Sequence, residues 1–386
     1  MIEIQTDTPF GTSQKAAVIA IAVGGGLMPA LQPVLLGTLL AEGRIDAVEL
    51  GRAATAEGLG MAISVTLASR FLSAEHLRWP LTVALLVMAL CNMSTAFAGA
   101  EGLITLRALS GISCGILLWL ILGMFARVQD PARLFAIYVT AQSTSAFLLS
   151  ATISNFIAPY FGSVVSYGMV AAFGLILLTI PPFIPPSYPP LHGSGSDAGP
   201  RPTLSGLPGL AAIFLYMAAI IGFWAYLLPV GEETGIARHH IAQAMSLSLA
   251  VQIAGGLAAC ATAGRISAAT AFCASAAASI AGLLLAISGT LMGWYLGTAI
   301  FAFAWIFCPP FHIPFLLAID PSRRSALFAG SAQLFGVSFG PFAASLTVQP
   351  QQMIHVAWLS LAFLMGSAML VIGLFIQRLS SLKIGC

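Results

Sequence analysis

Apolar runs of about twenty residues alternate along this chain with short breaks that hold charge or proline. At 1.5 Å per residue, such a run matches the ~30 Å hydrocarbon core of a bilayer. The pattern predicts twelve helical spans, at roughly 16–40, 47–70, 79–98, 102–126, 134–158, 163–184, 208–230, 238–263, 268–289, 291–318, 324–347 and 353–377. One break is longer than the rest. From Pro181 to Pro208 it passes through Pro-Pro-Phe-Ile-Pro-Pro-Ser-Tyr-Pro-Pro into Gly-Ser-Gly-Ser, a semi-rigid linker leading into a flexible one. The expected fold is an all-α polytopic membrane protein: an N-terminal six-helix bundle at 1–184, a linker at 185–207, and a C-terminal six-helix bundle at 208–386. Asp46-x-x-Glu49 reads as an N-cap with its box at the start of the second span.

Composition agrees with that picture. The chain is 59% hydrophobic and only 7% charged, with a mean hydropathy of +0.96. Soluble domains are about 25% charged, so a water-soluble fold of this size is excluded. The net charge of +2 comes without a basic patch or arm, which argues against nucleic acid as a partner. Six cysteines show no metal-ligand spacing and read as small packing residues, so neither a disulfide framework nor a bound metal or cofactor is expected. Asn92-Met93-Ser94 matches a glycosylation sequon but lies inside an apolar segment. Glu3 and Asp7 precede Lys15, and the apolar run that follows is too long for a signal peptide, so the first helix is expected to be retained.

The distribution of Lys and Arg predicts the orientation. With the N-terminus inside, the inner ends and loops hold Lys15, Arg70, Arg78, Arg127, Arg133, Arg201, Arg265, Arg323, Arg324, Arg378 and Lys383. The outer side holds only Arg44, Arg52 and Arg238. Both termini and the linker are therefore expected in the cytoplasm, in a bacterial-type inner membrane. The halves also repeat. Asp130-Pro-Ala-Arg133 before the fifth span matches Asp320-Pro-Ser-Arg323 before the eleventh, and Ala68-Ser-Arg70 parallels Ala263-Gly-Arg265. Glu57 then falls opposite Gln252. Duplicated bundles with a site between them are a transporter architecture.

Arg107 is the one strongly polar position in the run from Leu103 to Ala126. An arginine inside a span costs about 2.5–3.5 kcal/mol on insertion scales, so it should face protein and have a partner. Gly111 and Gly115 follow on the same helical face, where missing side chains let another helix approach. Glu57 is the sole carboxylate well inside an expected span, at nearly the depth of Arg107. A Glu57–Arg107 pair would cancel two insertion costs, and two readings of it stand side by side: a protonation site coupled to substrate, or a static strut.

Other polar residues within spans are candidate substrate contacts. Gln32 sits between Pro29 and Pro33, and Gln142 and Gln333 occupy matching places in spans 5 and 11. Trp305 lies mid-span and could stack a ring, whereas Trp224 and Tyr226 sit where aromatic belt anchors occur. His312, deep in span 10, could relay protons or contact substrate; bonding to a carbonyl freed near Pro309 is the alternative. Gly24-Gly25-Gly26 reads as close helix packing. No span holds a nucleophile–base pair, clustered acids or His-x-x-x-His, and no Walker motif occurs, so no catalytic residues are assigned and an enzyme is not expected.

Twelve spans, the six-plus-six split and Arg107-x-x-x-Gly111-x-x-x-Gly115 in span 4 together resemble the major facilitator superfamily of secondary transporters. The basic loops 2–3 and 8–9 sit where that family has Gly-x-x-x-Asp-Arg-x-Gly-Arg. Here Ser69 stands where the family aspartate would precede Arg70, and the second Gly-Arg is missing. The Gly-Pro ending of the drug/proton antiporters' span 5 is also absent, and Gly336-x-x-x-Gly340-Pro341 appears in span 11 instead. The resemblance implies a cavity lined by spans 1, 4, 7 and 10 and opened alternately to each side. It implies a monomeric transporter, surrounded by lipid, that moves a small organic solute, with organic anions among the solutes considered. The coupling ion expected is H+, with Glu57 as the group that is protonated and Arg107 as the partner that holds it ionised in one state. Efflux of a drug or metabolite, or a non-transporting sensor or scaffold of the same fold, is the alternative.

Overall fold

The computed structural model describes residues 10–73, 75–125, 127–128, 131–189, 203–320, 324–349 and 352–384. Fourteen α-helices follow one another among them. The first six are α1 (Thr12–Ala41), α2 (Ala47–Phe71), α3 (Arg78–Thr95), α4 (Ala100–Phe125), α5 (Pro131–Thr152) and α6 (Ala158–Leu177). Then come α7 (Leu207–Ala225), α8 (Leu227–Glu233), α9 (Arg238–Thr262), α10 (Ala268–Ala286) and α11 (Leu291–Phe307). The last are α12 (His312–Ile319), α13 (Ala329–Thr347) and α14 (Ile354–Ile384). Asp46 caps α2 as its sequence indicates: its Oδ1 accepts from Glu49 N–H at 2.7 Å, and Glu49 Oε2 accepts from Asp46 N–H at 2.8 Å.

Twelve spans are expected, and the helices differ from that reading at two places. The stretch around 208–230 is broken at Tyr226, where α7 gives way to α8. The stretch around 291–318 is broken after Cys308, because Pro309 and Pro310 cannot donate to the helical ladder and a 3₁₀ turn replaces it. The boundary between spans 5 and 6 falls where it is expected: α5 passes through a π-helical segment, Ile153–Ile157, into the start of α6, and the chain then turns sharply at Gly162, whose φ of 66° and ψ of −160° are not helical. Among the described residues eight helical stretches are long and apolar enough to cross a bilayer; one of them, Ile137–Phe183, is 47 residues long and covers two expected spans. Outside these stretches lie α2, α3, α13 and the short α8, and α2 carries Glu49, Arg52 and Glu57 along its length. Large apolar side chains such as Leu90, Phe156, Leu346 and Met369 face outward, as they do on a protein solvated by lipid.

The helices pack in corresponding pairs. In the first half α4 lies against α2 and α3, and α1 against α5 and α6; in the second, α11 lies against α9 and α10, and α7 against α13 and α14. Between the halves, α2 packs along α13 and α5 along α9, with α1 meeting α7. Among the described residues three hydrogen bonds cross from the second half to main-chain carbonyls of the first. Trp224 Nε1 donates to Ala30 O at 3.1 Å, the Tyr226 hydroxyl to Ala47 O at 2.7 Å, and Ser338 Oγ to Thr55 O at 3.2 Å. Both aromatic residues are buried, so they are not the interfacial belt anchors that their position near a span end suggests. Gly51 makes room for this contact, since a Cβ there would run into the Tyr226 hydroxyl and Ser345.

The linker begins later than its proline content predicts. Residues 181–189 are folded against the ends of α1, α3 and α4. Leu77 N–H donates to Pro186 O at 3.1 Å, Arg78 NH2 to Ile184 O at 3.0 Å, and Arg127 Nε to Pro189 O at 2.7 Å. The Tyr188 hydroxyl donates to Leu120 O at 2.7 Å, and its ring meets Phe10 edge-on at 5.5 Å. Burial pushes the Tyr188 phenol up from its ordinary range despite the Arg127 guanidinium beside it, which keeps it a donor. At the other end Thr203 Oγ1 lies 3.1 Å from Ser325 Oγ. Ser196 and the rest of 190–202 lie outside the described residues, as do Asp130 and Arg323.

Candidate functional site

Close helix approach builds the centre of the first half. A Cβ on Gly111 would meet the Glu57 carbonyl, and one on Gly115 would meet Ser64 Oγ and Met61 O. These two glycines of α4 therefore let α2 come near enough for Glu57 to reach Arg107. Arg107 NH1 lies 3.2 Å from Glu57 Oε1, with both side chains 2% exposed. Each partner is further bound. Glu57 accepts from Ser110 Oγ at 3.0 Å and from Gln32 Nε2 at 3.3 Å. Arg107 NH2 donates to Thr95 Oγ1 at 2.7 Å, Asn92 Oδ1 at 3.1 Å and Cys91 O at 3.4 Å. The guanidinium also sits over the Tyr167 ring, 5.3 Å from its centroid. The structure thus brings together Gln32, Glu57 and Arg107, from α1, α2 and α4.

The sequence reading did not anticipate Asn92, Thr95, Ser110 and Tyr167. Asn92 had signalled only a misplaced sequon, and its side chain is in fact buried against Arg107. Ser110 is three residues from Arg107 on α4, a spacing that puts both on one face, and that was the available clue.

The second half holds a neutral cluster. Gln333 Nε2 lies 2.7 Å from His312 Nδ1, and Cys308 Sγ lies 3.3 Å from His312 Nε2. With the Gln333 amide donating, the imidazole proton rests on Nε2 and points at Cys308. Tyr216 packs edge-on to the imidazole at 6.0 Å and donates its own proton to Ala304 O at 2.9 Å. The bond to a carbonyl freed by Pro309 is not made; the partner is the side chain of Gln333. Trp305 is tilted against Trp224 at 5.4 Å, which ties it to the contact with Ala30. Gln142 Nε2 donates to Gly26 O at 2.8 Å, across the glycine triplet of α1 that lets α4 and α5 approach. Gln142 therefore joins neither cluster. Gln252, the counterpart of Glu57 by sequence offset, is 2% exposed and its Nε2 has no partner.

A cavity of about 500 Å³ lies between α1, the π-helical segment, α8 and α9. Pro33, Val34 and Leu228 form its apolar wall, and Glu42, Asn155 and Arg238 are polar groups along it. Its α1 wall begins one residue beyond Gln32. Among the described residues no group of three or more His, Cys, Asp or Glu side chains is placed to hold a metal ion.

No family model and no curated protein matches the sequence. Solved structures do match the fold. The chain is similar to the nucleoside transporter NupG, at 14% identity over 95% of this chain and 99% of that one, with a TM-score of 0.66. A mutant of NupG gives 15% identity over 94% and 99% of the two chains, again with a TM-score of 0.66. The xylose transporter XylE from E. coli, in a partially occluded inward open conformation, is similar at 12% identity over 92% and 96%, with a TM-score of 0.70. At such identities the likeness is one of fold. The chain is a multi-pass helical protein with the major-facilitator-like fold that its own sequence leads one to expect.

Proposed function

We propose that the chain is a secondary transporter, which moves a small organic solute by alternating access and draws on a proton gradient. The observation that carries this reading is the Glu57–Arg107 pair, buried at membrane depth on a fold shared with transporters. An ion pair held only as a strut would serve as well with apolar residues of the same volume, so its presence in a span favours a role in which charge changes. Protonating Glu57 removes its charge and loosens its hold on Arg107. The freed guanidinium and the Gln32 amide can then exchange partners as the two halves rock. The matched helix pairings support two pseudo-symmetric six-helix bundles, and the seams α2–α13 and α5–α9 are where they would slide.

In this reading solute is contacted from both halves, by Gln32 and Arg107 on one side and by Trp305, His312 and Gln333 on the other. Gln142 steadies α1. An anionic solute would compete with Glu57 for Arg107; a neutral polar one would use the amides. The test is flux into vesicles containing the purified protein, begun with uridine and xylose and widened by a thermal-shift screen. The expected result is uptake that a pH gradient drives uphill, and its loss in Glu57→Gln while solute exchange at equal pH persists. Uphill uptake by Glu57→Gln with unchanged pH dependence would overturn the reading. Cysteines placed near Ser196 should react only with reagent that has entered the cell.

A further inference from the structure

Three polar atoms around the Glu57–Arg107 pair have no protein partner: Gln32 Oε1, Arg107 Nε and the Tyr167 hydroxyl. Their residues are 2%, 1% and 0% exposed. A buried polar atom without a partner costs about 1–3 kcal/mol, and polar interiors meet that need with bound water. The three atoms come from α1, α4 and α6.

Tyr167 also looks the other way. A helical side chain lies over the turn N-terminal to its own Cα, so the phenol of Tyr167 leans toward the turn of Ser163, four residues earlier on the same face. Ser163 belongs to a second polar cluster. Its N–H donates to Glu42 Oε1 at 2.6 Å and its hydroxyl to Glu42 Oε2 at 2.5 Å, and its oxygen accepts from Arg44 NH1 at 2.9 Å. Arg44 NH1 and NH2 continue to Ala96 O and Ala98 O, beside the Thr95 hydroxyl that Arg107 holds. Glu42 and Arg44 are about a third exposed, with side-chain values of 32% and 27%, at the end of α1 expected to face outward. Two polar clusters, one at the surface and one deep in the first half, thus share α6 and the end of α3. Tyr167, whose ring Arg107 rests on, lies one helical turn beyond Ser163 on α6.

We infer that Glu57 exchanges its proton with the outer face through the first half itself, entering at Glu42, on the wall of the cavity between α1 and α9, and passing by way of Ser163 and Tyr167. The inference rests on the reading of Glu57 as the coupling carboxylate. In the relay each oxygen accepts one proton and releases another, with water bridging the gaps at Gln32 Oε1 and Tyr167. Outer solvent loses one H+ and a Glu57 carboxylate oxygen gains it. Arg107 keeps its charge, and Ser163 and Tyr167 end as they began. The titratable groups near Glu57 are Arg107 and Cys114 on α4, Cys91 on α3 and Tyr167 on α6. On α1 it meets the Gln32 amide, and α13 carries no titratable residue between Ala329 and Thr347.

The probe is the proton alone. In oriented vesicles, the carboxyl infrared band of Glu57 is followed after a pH jump on the outer side, and Glu57→Gln identifies the band by removing it. Tyr167→Phe keeps the ring over Arg107 and deletes only the hydroxyl, so it should slow the rise of that band about tenfold, the equivalent of one lost hydrogen bond in the barrier. Ser163→Ala should slow it in the same direction, which guards against a Tyr167 variant that folds poorly. A band that rises at the wild-type rate in both variants overturns the route and leaves Glu57 as the coupling group. If the wild-type protein shows no band that Glu57→Gln removes, the coupling reading fails with it.

Discussion

The two halves place polar groups at comparable depth and use them differently. The first half buries a charged pair, Glu57 and Arg107, with hydrogen bonds from α1, α3 and α4 around it. The second buries a neutral imidazole between an amide and a thiol, and carries Gln252 where the sequence offset would place the carboxylate. The backbone devices are alike: Gly111 seats α4 on the Glu57 carbonyl, and Gly255 lies so that a Cβ would be 2.6 Å from Phe303 O on α11. A common scaffold therefore carries two chemistries. The charged half can change its protonation and its partners together, whereas the neutral half can reorganise hydrogen bonds at little electrostatic cost.

Breaking the charged half should have the largest effect. Arg107→Ala strands a buried carboxylate and is expected to cost about 3–5 kcal/mol, read as a fall in melting temperature in detergent. Adding Glu57→Gln to it should restore part of the loss. A double variant no more stable than the single one would show that the pair is not coupled. Removing Gln333 from the neutral half should cost less, about 1–3 kcal/mol, because it leaves an unpaired imidazole nitrogen and no unpaired charge. Equal losses for the two would erase the contrast.

The shared scaffold is tested by glycine. Gly111→Ala and Gly255→Ala force a methyl against a facing carbonyl, and each is expected to cost about 1–3 kcal/mol. Gly330→Ala, with nothing within 4 Å of the new methyl, should be neutral or slightly stabilising. Tyr226→Phe, which removes one hydrogen bond to Ala47 O, should cost about 1 kcal/mol. Its clearer readout is a shift in the balance of conformations, followed by a spin-label pair across α2 and α7.

The pairing of Glu57 with Arg107 was legible because two ionisable residues in apolar spans have almost no affordable alternative to each other. The two glycines of α4 were legible for the same reason, since the pair needs a close approach. Asn92, Thr95 and Tyr167 were not. Each is an ordinary helix residue until the rotation of α3 and α6 about their axes is known, and apolar runs that are hydrophobic all round do not reveal that rotation. The aromatic residues of α7 were misplaced on the same account: Trp224 and Tyr226 near a span end fit an interface anchor, and only the packing of α7 on α1 and α2 turns them inward. The proline-rich stretch misled in the opposite direction. Its composition marks a spacer, while the bonds of Leu77, Arg78 and Arg127 to its carbonyls depend on groups that sequence leaves far away.

The three hydrogen bonds across the halves share a property that bears on inheritance. Trp224, Tyr226 and Ser338 donate to main-chain oxygens, so every acceptor is present whatever side chain α1 and α2 carry. Substitution can delete these contacts from one side alone. A genetic screen for variants that favour the separated state should accordingly gather its hits in α7 and α13. In α1 and α2 it should be nearly silent, except at positions such as Gly51, where an added methyl keeps the donor away. The first half is thereby free to vary its lining without losing its hold on the second.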